Sequence, residues 1–123
     1  MNGFPVWAEI DLEAIAHNVR EVRRLTGPDT RVMAVVKANG YGHGALEVAR
    51  VALANGADYL GVARAHEGIE LREAGIDEPI LIFGYSPLEL TRKLIAHRLT
   101  QTVYCQEMAR SFADAAQTAG KIL

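Results

Sequence analysis

The chain has 123 residues, half of them apolar, with a net charge of −2, so it is of single-domain size and able to bury a core. That charge balance excludes a basic nucleic-acid binder or an acidic tail as its theme. Mean hydropathy is +0.04, and no apolar run approaches the roughly 18 residues of a membrane span.

The start, Met1-Asn2-Gly3-Phe4-Pro5, lacks the basic and long apolar segments of a signal peptide. Asp11 is an N-cap for a helix with Leu12, Ile15, Val19 and Val22 on one face, stopped by Gly27-Pro28. The cluster Arg20, Arg23 and Arg24 is expected on that helix's solvated face. A strand follows at Val32-Met33-Ala34-Val35-Val36, and a helix over about 45–55. A second strand is Tyr59-Leu60-Gly61-Val62-Ala63, followed by a helix over about 65–74 that ends at Gly75. The third strand is Ile80-Leu81-Ile82-Phe83. Ser86-Pro87-Leu88-Glu89 reads as a capping box opening the fourth helix. The fourth strand is expected at Thr102-Val103-Tyr104, the fifth helix over about 106–119 ending at Gly120, and a further strand opening at Lys121-Ile122-Leu123.

The first and third strands are apolar without alternation, which predicts burial on both faces. Met33 and Met108 are expected in the core, and Cys105 as a small buried or half-buried residue. A single cysteine permits no disulfide and no cysteine-cluster metal site, and the four histidines fall at no metal-ligand spacing. No metal is expected, and a reducing, cytoplasmic setting is. Strand, loop, helix and glycine recur, which means parallel βα units. They close either as an open doubly wound sheet or as part of a (β/α)₈ barrel of roughly 250 residues.

The chemistry concentrates in Val35-Val36-Lys37-Ala38-Asn39-Gly40-Tyr41-Gly42-His43-Gly44. An apolar strand delivers Lys37 at its C-terminal end, the edge where α/β proteins bind ligands. An amine desolvated there loses its proton more easily and can attack an aldehyde; more commonly such a lysine just extends its ammonium to water. Gly40, Gly42 and Gly44 form G-x-G-x-G, which is neither the dinucleotide fingerprint nor a P-loop. They either cradle a phosphate or permit positive φ in a turn. The Tyr41 hydroxyl either donates to a phosphate or its ring covers the strand end. His43 is either an acid–base group or a local hydrogen-bond partner.

This ten-residue segment closely resembles the pyridoxal-phosphate attachment motif of alanine racemases. Trp7-Ala8-Glu9-Ile10-Asp11-Leu12 resembles that family's N-terminal segment. Glu70-Leu71-Arg72-Glu73-Ala74-Gly75-Ile76 and Pro79-Ile80-Leu81-Ile82-Phe83-Gly84 resemble its second helix and third strand. The resemblance implies an α/β fold: residues 1–123 as the first half of a TIM-type (β/α)₈ barrel, a truncated N-terminal barrel domain without the family's C-terminal β domain. It implies pyridoxal 5'-phosphate as cofactor, held by Lys37 as an aldimine, with Lys37 also one of two catalytic bases. Tyr41 matches the tyrosine that hydrogen-bonds the cofactor phosphate. Phe83 lies where the family carries an apolar residue near the pyridine ring, commonly leucine. The second base is a tyrosine from the other subunit of a homodimer, and its motif lies beyond residue 123. The implied activity is interconversion of L- and D-alanine, supplying D-alanine for peptidoglycan, with the 123 residues inactive alone. No nucleic-acid or membrane partner is implied. The alternative is a non-catalytic pyridoxal-phosphate-binding barrel, whose attachment segment reads differently.

Overall fold

The computed structural model describes residues 3–121. Four strands, β1 (Met33–Val35), β2 (Tyr59–Val62), β3 (Ile80–Ile82) and β4 (Thr100–Gln101), form one parallel sheet in the order β1-β2-β3-β4. Between and around them lie α1 (Leu12–Thr26), a one-turn helix α2 (Lys37–Tyr41), α3 (Ala45–Ala54), α4 (Ala65–Glu73), a 3-10 turn (Leu88–Leu90), α5 (Thr91–Ala96) and α6 (Gln106–Ala119).

Each strand pairs with its successor in sequence. An open doubly wound sheet would reverse its strand order at a switch point; among the described residues there is no reversal. The connections between parallel strands are right-handed in nearly all proteins. A sheet that grows in one direction by such connections carries every helix on the same side. The core shows this. Val36, Leu60, Val62, Ile80 and Ile82 from the sheet pack in one cluster with Ala49 of α3, Leu71 of α4, Leu94 of α5 and Phe112 of α6.

The register explains which residues face which way. Ala34, Leu60 and Ile80 are in line on the helix-covered face, and Val35, Gly61, Leu81 and Thr100 on the other. Val35 and Phe83 remain 37% and 36% exposed. Among the described residues, helices cover one face of the sheet and leave the other open. Met33 belongs to the open face and is half-buried, whereas Met108 is in the core as expected.

The helix limits follow local chemistry. The Asp11 carboxylate accepts from the Ala14 amide at 3.0 Å, and α1 ends where the Gly27 amide reaches the Arg23 carbonyl. Met108, Phe112 and Ala116 recur every four residues along α6 and are its buried stripe. Two expectations are corrected. The Ser86 capping box does not form: Pro87 is extended (φ −59°, ψ 148°), the helical turn begins at Leu88, and Ser86 turns into the interior. The fourth strand lies at 100–101, where Thr100 and Gln101 pair with Leu81 and Ile82. Thr102 gives one more bond, its amide to the Ile82 carbonyl at 3.2 Å, before the chain turns away. Cys105 is exposed rather than buried: it is the extended residue at the N-cap position of α6, and its side chain makes no capping hydrogen bond. Lys121 is outside any strand; residues 122 and 123 of the expected last strand lie outside the described residues.

Candidate active site

The site begins with the end of β1. The Val36 amide donates to the Gly61 carbonyl at 2.8 Å, and Val36 itself is buried. Alternation then puts Lys37 on the face shared by Met33 and Val35, the one without helices. Lys37 is half-buried, and its Nζ stands 5.8 Å from the centre of the Tyr41 ring, at cation–π range. No carboxylate among the described residues pairs with this ammonium.

Lys37 and Tyr41 are brought together by unusual backbone. Ala38, Asn39, Gly40 and Tyr41 have φ of 51°, 54°, 63° and 56°, so α2 is a left-handed turn. For an L-residue this costs about 1–2 kcal/mol, less for asparagine. Such strain survives only where the surroundings over-determine it, and here they do. The Gly40 amide donates to the Val36 carbonyl at 2.9 Å. Asn39 Oδ1 accepts from the Ala45 amide at 3.0 Å and so caps α3. His43 Nδ1 lies 3.1 Å from the carbonyls of both Gly40 and Tyr41; two carbonyl neighbours place the proton on Nδ1. Gly40 is required twice over, by its positive φ and because a Cβ would stand 3.3 Å from the Ala45 backbone. His43 is thus a local hydrogen-bond partner, and the glycines serve the turn.

Sequence reasoning missed Glu67. One carboxylate oxygen accepts from the amides of Ala63 and Arg64 at 2.9 and 2.8 Å; the other accepts from the Ala38 amide at 2.7 Å. This one side chain joins the ends of β1 and β2 and holds the first amide of the strained turn. The signal was present: a glutamate at the third position of a helix that has no capping side chain before it.

Phe83 extends β3 on the same open face. A Cβ added to Gly61 would meet its ring at 2.5 Å and Met33 Sδ at 3.0 Å, so the ring lies over the middle of β2. The Phe83 carbonyl accepts from the Tyr104 hydroxyl. Lys37 and Tyr41 therefore meet directly, and Phe83 adds an apolar floor on the same side of the sheet. The Tyr41 side chain is exposed, and its hydroxyl has no hydrogen bond among the described residues. A half-buried amine, a free hydroxyl and an aromatic floor suit a flat, anionic aldehyde better than a metal. No group of three or more metal-ligating side chains exists among the described residues.

Comparison with known proteins gives the family. The model "Alanine racemase, N-terminal domain" matches residues 10–123. The chain belongs to the alanine racemase N-terminal domain family. Among alanine racemase relatives, that of Methanococcus maripaludis is 53% identical over 121 residues, covering 98% of this chain and 32% of the relative. That of Desulforamulus reducens is 50% identical over 117 residues, covering 95% and 32%. The solved alanine racemase of Clostridium difficile 630 superimposes with a TM-score of 0.90 at 42% identity, over 98% of this chain and 33% of that one. The chain therefore spans about a third of the length of these alanine racemases. Its four βα units have the fold of the N-terminal part of their TIM-type barrel.

Proposed function

We propose that this chain contributes the lysine side of an active site that interconverts L- and D-alanine with pyridoxal 5'-phosphate. The supporting observation is the position of Lys37: an unpaired amine at the C-terminal end of β1, on the uncovered sheet face, over the ring of Tyr41. Lys37 Nζ would hold the cofactor, the Tyr41 hydroxyl would donate to its phosphate, and the Phe83 ring would pack near its pyridine ring. When bound, the cofactor supplies an electron sink that makes the α-proton of the amino acid removable. Once the substrate's amine has displaced it from the cofactor, Lys37 Nζ would take or return that proton on one face of the α-carbon, the face from which the proton of D-alanine leaves. The opposite face needs a second base near neutral pKa. In this reading it is a tyrosine of the other subunit of a homodimer, in the two thirds of the relatives that this chain does not span. The 123 residues alone would then be inactive. The further expectations are a cytoplasmic protein whose D-alanine enters peptidoglycan. No described helix is long and apolar enough to cross a membrane.

The test is to titrate the protein with pyridoxal phosphate, reduce with borohydride and map the covalent adduct by mass spectrometry. The expected outcome is one adduct per chain at Lys37, none in Lys37→Ala, and about tenfold weaker cofactor retention in Tyr41→Phe, the loss of one hydrogen bond to a charged group. Adduct scattered over exposed lysines would refute the reading.

A further inference from the structure

The place of the Phe83 ring is set by two other residues, Gly61 and Tyr104. Extending the register of β1, β2 and β3 by two residues sets Lys37, Ala63 and Phe83 at one level. Lys37 and Phe83 are then two strands apart, roughly 10 Å between backbones. Between them β2 and its continuation present Gly61 and Ala63, both small, to the open face. The Phe83 ring does not stand upright on β3. It lies across this low strip, with Cζ 2.5 Å and Cε2 2.7 Å from where a Cβ on Gly61 would be.

Gly61 is there for that ring. A glycine weakens a strand, and inside one it marks a bulge or a close approach. Gly61 is paired in register with both Val35 and Leu81, so there is no bulge. Its φ is not positive, so the backbone makes no demand for glycine. A methyl group at 61 would have to push the ring off β2, since Met33 Sδ, at 3.0 Å, also crowds the position. The Phe83 backbone is fixed as well. Its amide donates to the Val62 carbonyl at 2.8 Å, and the Gly84 amide donates to the Ala63 carbonyl at 2.9 Å. The Tyr104 hydroxyl donates to the Phe83 carbonyl. Tyr104 is 60% exposed, where a phenol ordinarily meets water, yet it reaches back across 21 residues.

We propose that Gly61 and Tyr104 are positioning residues for the cofactor. Together they hold the Phe83 ring over β2, so that the aromatic ring of pyridoxal phosphate stacks on it beside Lys37. Gly61 acts by leaving the space, Tyr104 by fixing the strand end from which the ring projects. The inference rests on the reading of Lys37 and Phe83 given above and adds to it the two residues that orient the floor.

The test titrates the purified chain with pyridoxal phosphate. It follows retention of the cofactor, the visible circular dichroism band of the bound chromophore, and the borohydride-reduced adduct at Lys37. Gly61→Ala is expected to retain the cofactor about three- to tenfold more weakly, the range for loss of one aromatic pair, with a diminished band. Phe83→Leu loses the same pair and should match it. Combining Gly61→Ala with Phe83→Leu should be no weaker than Phe83→Leu alone, because no ring is left for the methyl group to displace. Tyr104→Phe should diminish the band at an unchanged urea midpoint, since water replaces the hydroxyl of an exposed bond; a purely structural role would move the midpoint and leave the band. Parent-like retention and band in both Gly61→Ala and Tyr104→Phe, or losses that add in the double variant, would overturn the inference while the Lys37 adduct still forms. An unlabelled Lys37 in the parent would instead remove the reading of the site, and the inference with it.

Discussion

Single side chains with several backbone partners organise this chain, and three of them were hidden in the sequence. Glu67 binds three amides, so Glu67→Ala should leave them unsatisfied, destabilise the fold by about 1–3 kcal/mol and loosen the Lys37 turn. Urea unfolding together with the yield of Lys37 adduct checks it; a variant with normal stability and normal yield would refute the role. Arg23, expected on a solvated face, is instead the hub of one corner. Its guanidinium donates to the carbonyls of Gly27, Thr30 and Gly56 and to the Asp58 carboxylate. Arg72 does the same for His97, Arg98, Ile76 and Glu78. Arg20 and Arg24, by contrast, pair with exposed Glu13 and Glu21 as surface groups do. Asp58 also accepts from the Val32 amide at 2.8 Å. That bond first, and Arg23 after it, hold its carboxyl below the usual aspartate range. A folded-state pKa below the unfolded value near 3.9 gives stability that is present above about pH 4 and lost as pH falls through the folded value. Urea midpoints measured from pH 6 to pH 3 should therefore fall less steeply in Asp58→Asn than in the parent; parallel profiles would count against it.

Elements were legible where their signals are local. The Asp11 cap, the Gly27 and Gly120 stops and the core position of Met108 all depend on residues within one or two turns, and all stand where the sequence puts them. Asp11→Ala should lower stability by about 1 kcal/mol, read as a shift in the urea midpoint without change of slope; no shift would mean that α1 contributes little. Where two local signals compete, the sequence was a poorer guide. Ser86-Pro87-Leu88-Glu89 carries every residue type of a capping box, yet the extended Pro87 moves the helix start onward and the hydroxyl inward. At 102–104 the β-branched and aromatic residues suggest a strand, but pairing with Leu81 and Ile82 draws the strand back to Thr100–Gln101. The left-handed turn α2 was visible only as three glycines. Ala38, Asn39 and Tyr41 also take positive φ, which no propensity predicts and which Glu67, 29 positions further along from Ala38, helps to hold.

Across the described residues, the helices cover one side of the sheet. Leu60 is fully buried beneath the helices, whereas Leu81 is half-buried on the open face. Leu60→Ala should cost the chain about 2–5 kcal/mol, and Leu81→Ala clearly less, as measured by urea unfolding; equal losses would mean that something covers the open face in solution. That face carries Met33, Val35, Leu81 and Phe83 beside Lys37, so the apolar surface and the proposed chemistry share one side of the sheet. The sequence by itself determined the parallel βα pattern, the lysine at a strand end and the family, because periodicity, caps and a ten-residue motif are written in neighbouring residues. Tertiary structure alone decided the sequential strand order, the single covered face, the strained turn that brings Tyr41 to Lys37, and the hubs at Glu67, Arg23 and Arg72. Each of these rests on hydrogen bonds or packing between residues some 20 to 35 positions apart, and separation of that kind leaves no trace in a local pattern.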